Sequence, residues 1–166
     1  MEWDFLEAII RKIGFQEQWI QLVMTCVRIV TYVVLINRQP HGHITTSRGI
    51  KQRDPLFPYL FLLCVDGLSH LLHKAKRERH IMGLVIARGG PKINHLFFAD
   101  DSFLFYKASA QEWGRIQALL ELYERASGQK LNKDKTFLLF SKNTPQAAKE
   151  HLYQWWESPE WHPFLL

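Results

Sequence analysis

The chain has 166 residues, 47% of them hydrophobic and 22% charged, so it has the length and apolar content to bury a core. With 21 Lys and Arg against 16 Asp and Glu it carries +5, a balance that suits a polyanionic partner without demanding one. Cys26 and Cys64 are too few for a disulfide framework or a cysteine-based zinc site, and both read as reduced, buried thiols of an intracellular protein, nuclear or cytoplasmic. The N-terminus is acidic where a signal peptide would be basic. The run "YLFLLCV" is too short to cross a bilayer, so no membrane is expected.

"MEWDFLEAIIRKIGF" predicts a helix with Asp4 and Glu7 as a capping-box variant and Gly14 as its stop. A second helix follows, with Trp19, Leu22, Val23, Cys26, Ile29 and Val30 on its apolar face. "YVVLINRQ" is β-branched and precedes "PHGH", which predicts a hairpin from about Tyr32 to Ile50 with His41 and His43 as turn residues. The longest helix lies in "DPLFPYLFLLCVDGLSHLLHKAKRERH". Pro55 and Pro58 stand near its start, and Leu60, Leu63, Cys64, Leu68, Leu71, Leu72 and Ala75 form its stripe. Gly67 within that stripe weakens the helix and permits close packing.

"GLVIA", a Gly-Gly-Pro turn and "INHLFFADDSFLFYK" then read as strand, turn, strand, turn, strand. Ser109 and Glu112 form a second capping box, for a helix carrying Trp113, Ile116, Leu119, Leu120 and Tyr123 and closed by Gly128. "KTFLLFS" reads as a last strand. The order predicts an α+β fold without repeats. The Trp-rich tail, residues 146–166, fits neither period and stays unassigned.

Two adjacent aspartates, Asp100 and Asp101, stand between the apolar runs "HLFFA" and "SFLFY". In a tight turn both carboxylates can approach one space and bind Mg²⁺, which prefers oxygen ligands and bridges carboxylates to phosphates. The competing explanation is a plain turn, where Asp is common. A two-metal site needs a third carboxylate. Asp54, Asp66, Glu78 and Asp134 are available, but none ends an apolar strand.

"RGIKQRDPLFPYLFLLCVDGLSHLL", "INHLFFADDSFLF" and "ASGQKLNKDKTFLLFS", in that order over residues 1–145, resemble the reverse transcriptase of plant non-LTR (LINE-type) retrotransposons. The resemblance implies a partial polymerase palm, a split βαββαβ sheet, over 1–145. It implies that Asp100 and Asp101 bind catalytic Mg²⁺, with Mn²⁺ as the alternative. Gln52, Arg53, Asp54 and Pro55 would face nucleotide and template, and Lys135 would stand near the departing pyrophosphate. The partners implied are an RNA template, a DNA primer and dNTPs.

The sequence departs from the family pattern at Arg53, where the family has glycine, and at Phe57, where it has serine. Arg53 would crowd the nucleotide; alternatively it faces solvent and binds a phosphate. The family carries its other catalytic aspartate on a strand just before the first helix, so that strand is expected upstream of Met1. It is the strand that should start the sheet, and without it the catalytic hairpin would expose an apolar edge. The strand expected after Lys142 is also missing from the pattern. The isolated chain is therefore expected to be an inactive polymerase fragment. The alternatives are a non-catalytic nucleic-acid-binding remnant and a relic without function. "HKAKRERH", residues 73–80, reads as a solvated helix end, and Trp19 and Trp113 as packing residues.

Overall fold

The computed structural model describes residues 1–50, 54–98 and 101–157, with the backbone alone at 133. The order is α1 (Trp3–Ile13), α2 (Glu17–Arg28), β1 (Thr31–Ile36), β2 (Gln39–Thr45), α3 (Phe57–Arg77), β3 (Leu84–Val85), β4 (Lys92–Ile93), β5 (His95–Phe98), β6 (Asp101–Leu104), α4 (Ala110–Ser127) and α5 (Gln146–Glu157), with a 3₁₀ turn at Lys133–Lys135 before α5. This is the α+β class that the sequence predicts. Its ladders are three antiparallel pairs, β1–β2, β3–β4 and β5–β6. The chain divides into two compact units. One holds Met1–Gly67 and Ala126–Gln129; the other holds Leu68–Arg125 and the described residues from Lys130 onward.

In the first unit, α1 ends as expected at Gly14, whose φ of 100° is left-handed. Its start differs. Glu2 is the N-cap and makes no side-chain cap, so Asp4 and Glu7 do not form a capping box. Glu7 instead binds Arg11 at 3.1 Å and Arg28 at 2.8 Å, charge-assisted contacts that outcompete a cap. On α2 the buried residues are Ile20, Val23, Met24 and Val27, while Trp19, Leu22 and Ile29 are exposed. The sequence offers two overlapping apolar stripes, and contact with Leu6, Ile10, Leu60 and Cys64 selects the one centred on Ile20 and Met24. Cys26 is consequently exposed and only Cys64 buried. Trp19 stacks on Phe15 at 4.2 Å instead of entering the core.

The β1–β2 hairpin turns at Asn37 and Arg38, both at positive φ, the signature of a type I′ turn. His41 and His43 lie in strand β2, not in a turn. Helix α3 begins after Asp54, whose Oδ1 accepts from the Leu56 amide at 2.8 Å in an Asx turn. A Cβ at Gly67 would lie 2.9 Å from Ile9 Cδ1, so the absent side chain is what lets α1 approach.

In the second unit, Leu68, Leu72 and Ala75 continue the buried stripe of α3, with Ile81 buried after it. Ser109 Oγ accepts from the Glu112 amide at 3.3 Å, the first half of the expected capping box. The second half is redirected, because Glu112 Oε2 accepts from the Lys107 amide at 2.9 Å. Trp113 and Leu152 are buried together, with Tyr106, Leu138, Phe140 and Trp156 around them. Helix α5 therefore orders much of the segment that the sequence left unassigned. "KTFLLFS" forms no ladder. It keeps strand-like alternation, with Leu138 and Phe140 packed on Trp113 and Leu152 while Phe137 and Leu139 are exposed, but no described strand lies beside it.

Candidate functional site

The β5–β6 ribbon presents the aspartate region. His95 pairs with Leu104, Leu96 with Phe103, Phe97 with Ser102 and Phe98 with Asp101. Partners across an antiparallel ladder share a face and neighbours along a strand alternate. Leu96, Phe98, Phe103 and Asp101 thus form one face and His95, Phe97, Ser102 and Leu104 the other. The first face is open: Leu96 is 55% exposed, Phe98 73% and Phe103 43%. Asp101 stands at its end beside Phe98. Ala99 and Asp100 lie outside the described residues.

The opposite face is fixed to α3 by a polar chain. Asn94 is buried, and its Nδ2 donates to the Leu72 carbonyl at 3.0 Å. That leaves Asn94 Oδ1 to accept from His95 Nδ1 at 3.1 Å, which puts the ring proton on Nδ1. His95 Nε2 is then an acceptor, and the Ser69 hydroxyl donates to it at 2.9 Å. The ring also meets His73 edge-on, 4.7 Å between centroids. Burial lowers the His95 pKa, and His73 and Lys76 lower it further, so the neutral ring is the favoured form. The ladder continues where the Phe105 amide donates to the Asn94 carbonyl at 2.8 Å. The residues that carry the ribbon are therefore Ser69, Asn94 and His95, which the sequence reading missed. Their one local signal was a polar "NH" pair opening an apolar strand.

Of the other predicted site residues that are described, two lie in the first unit and one in the second. Gln52 and Arg53 lie outside the described residues. Asp54 and Pro55 are in the first unit, where Asp54 starts α3. Lys135 is exposed in its 3₁₀ turn, and its amide donates to the Asn132 carbonyl at 3.2 Å. Among the described residues, no three His, Cys, Asp or Glu side chains converge as metal ligands. One exposed carboxylate, Asp101, does not make a metal centre, so the described residues alone do not fit one. The "HKAKRERH" stretch is largely a helix end, with Glu78 within 4.0 Å of Lys74 and 3.6 Å of His80.

The family model described as reverse transcriptase (RNA-dependent DNA polymerase) matches residues 1–156. The chain belongs to the reverse transcriptase family. An uncharacterized mitochondrial protein of Arabidopsis thaliana is 37% identical over 113 residues, covering 67% of this chain and 90% of that one. Reverse transcriptases as a family use divalent metal ions, a nucleic-acid template and nucleotide substrates. Among the described residues no helix is long and apolar enough to cross a membrane.

Proposed function

We propose that the chain is the palm portion, over residues 1–145, of an RNA-directed DNA polymerase from a plant LINE-type (non-LTR) retroelement, and that the 166 residues alone are inactive. One observation carries the reading: within a chain that belongs to this family, Asp101 caps a rigidly held ribbon whose outer face is apolar and open. In the intact enzyme a primer 3′-hydroxyl attacks the α-phosphate of a dNTP and displaces pyrophosphate, on an RNA template. The chain's share of a Mg²⁺ or Mn²⁺ centre is Asp101 together with Asp100. A further carboxylate comes from a segment other than those described, and the exposed outer face of the ribbon is where such a segment would pack. In this reading Lys135 would serve the departing pyrophosphate, and Gln52, Arg53, Asp54 and Pro55 the nucleotide and template.

Primer extension tests this, with the chain alone and with a fragment supplying a strand that bears an aspartate. The expected result is no extension alone, Mg²⁺-dependent extension when complemented, and its loss in Asp101→Asn. Extension by the chain alone, or complemented activity indifferent to Asp101→Asn, would overturn it. The net charge of +5 supports a second reading, a remnant that binds nucleic acid without catalysis. It is selected by salt-sensitive binding unchanged in Asp101→Asn with no extension under either condition. A relic without function would show neither binding nor extension.

A further inference from the structure

The charge of the chain is not spread evenly. Between Glu17 and Asp54 there is no acidic residue, yet there are five cations: Arg28, Arg38, Arg48, Lys51 and Arg53. The other 16 Lys and Arg face all 16 Asp and Glu in the rest of the chain, so the whole +5 resides in this one stretch. At its centre is the β1–β2 ribbon, and every residue of both strands is exposed.

The ribbon has an apolar and a cationic component. Tyr32, Val34, Ile36 and Ile44 share one face with Gln39 and His41, and a bulge between Tyr32 and Val34 accommodates His43 on the other side. Arg28 and Arg48 are engaged in the same unit, Arg28 with Glu7 at 2.8 Å and Arg48 with Glu2 at 3.8 Å. Arg38 has no ion pair or hydrogen bond to a described residue. It also sits at φ 64°, where a side chain is strained and glycine would be free. A type I′ hairpin is most stable with Asn-Gly at its tip, and this one keeps Asn-Arg. An uncommitted guanidinium on a left-handed backbone position at the apex of an acid-free ribbon is an arrangement that folding alone does not call for.

We infer that the β1–β2 ribbon is a sequence-independent contact for a nucleic-acid backbone, with Arg38 at its tip as the anchoring phosphate ligand. This rests on the polymerase reading for the kind of nucleic acid, an RNA–DNA hybrid. The charge complementarity is with a polyanion: Arg38 presents a planar donor fork to a phosphate, the ring N–H of His41 can donate on the same face, and the apolar side chains of that face lie against sugar edges. A two-stranded ribbon is a known shape for lying along a groove. Backbone contact carries no base readout, so affinity follows salt and not sequence.

Fluorescence anisotropy of the full chain with a labelled RNA–DNA hybrid, and with a scrambled-sequence copy, tests this over a salt series. The informative variant is Arg38→Gly, which removes the charge while making the turn Asn-Gly, so that a lost fold cannot explain lost binding; circular dichroism checks the fold. Arg88→Gln, an equal charge change in the second unit, is the control. The expected result is equal affinity for both sequences. Arg38→Gly should weaken it about threefold to fivefold and make the log–log salt slope shallower by about 0.9, while Arg88→Gln changes neither. Equal losses in the two variants, unchanged binding in Arg38→Gly, clear sequence preference, or no binding to the hybrid would each overturn the inference. Salt-insensitive self-association through the ribbon would assign it to a protein contact instead. Complemented primer extension judges the polymerase reading separately: extension retained with Arg38→Gly binding unchanged sinks only the ribbon.

Discussion

The Ser69 hydroxyl donates to His95 Nε2 across 2.9 Å, joining the middle of helix α3 to the first residue of the strand that leads to the aspartates. Because Nδ1–H donates to Asn94 Oδ1 and Nε2 accepts from Ser69, the arrangement suits a neutral imidazole, and burial, with His73 and Lys76 nearby, lowers the His95 pKa. The unfolded chain then binds more protons than the native one between the lowered pKa and about 6.5. The stability from His95 is present in full above about pH 6.5 and is lost as pH falls through the lowered value. Urea unfolding from pH 7 to pH 5 should show stability falling with acidification, with a shallower fall in His95→Gln. Parallel pH curves for the two proteins would remove His95 as the titrating group.

Gly67 sets two effects of opposite sign against each other. Alanine at a helix interior is favoured over glycine by about 1 kcal/mol. The added Cβ would meet Ile9 Cδ1 at 2.9 Å and Phe5 Cζ at 3.5 Å. Ile9 Cδ1 is the end of a side chain that can rotate, so Gly67→Ala should lie within about 1 kcal/mol of neutral. Gly67→Leu cannot be absorbed in this way and should destabilise by about 1–3 kcal/mol. Chemical denaturation of the pair measures this, and a well-tolerated leucine would mean that α1 and α3 are not in close contact.

How much was legible in the sequence depended on whether a feature was local. The stripe Leu60, Cys64, Leu68, Leu72 on α3 was readable because its spacing, the preceding Pro55 and the cations at its end all lie within one segment. The β1–β2 hairpin was readable as a hairpin, but its turn was expected at "PHGH", and the structure turns instead at Asn37 and Arg38, with His41 and His43 in the second strand. Helix α2 was placed but its buried face was not, since Ile20, Met24 and Val27 are selected only by partners on α1 and α3. "KTFLLFS" had the right alternation and lacked a neighbour, and a ladder is a property of two strands. The support of the aspartate ribbon joins Ser69 to His95 over 26 positions, beyond the reach of any local pattern. Helix α5 carries only the short stripe Ala148, Leu152 and Trp156, which the exposed Tyr153 and Trp155 beside it obscure in the sequence.

The two cysteines should react very differently. Cys26 is exposed on α2. Cys64 is fully buried, with Sγ 3.3 Å from Met1 Sδ, and burial pushes its thiol up to about 12. Reaction needs the thiolate and access to it, and Cys64 has neither at neutral pH. Titration with a disulfide reagent should label one thiol in the folded chain and both in denaturant. Peptide mapping should find the native label on Cys26; a label on Cys64 at the same rate would mean that the first core opens freely.

Leu152 is the test of whether α5 belongs to the folded second unit. It is buried against Trp113, and the Trp113 and Trp156 rings stand 5.8 Å apart beside it. Cutting it to alanine leaves a hole that the two indoles cannot readily fill, which should cost about 2–5 kcal/mol. Leu139 is 78% exposed, so Leu139→Ala removes the same atoms from a place where they bury little and should stay within about 0.5 kcal/mol. Tryptophan fluorescence during urea unfolding reads both variants in one experiment. Comparable small losses would detach α5 from Trp113. A large loss confined to Leu152→Ala would show that residues 146–157 hold the α4 core together.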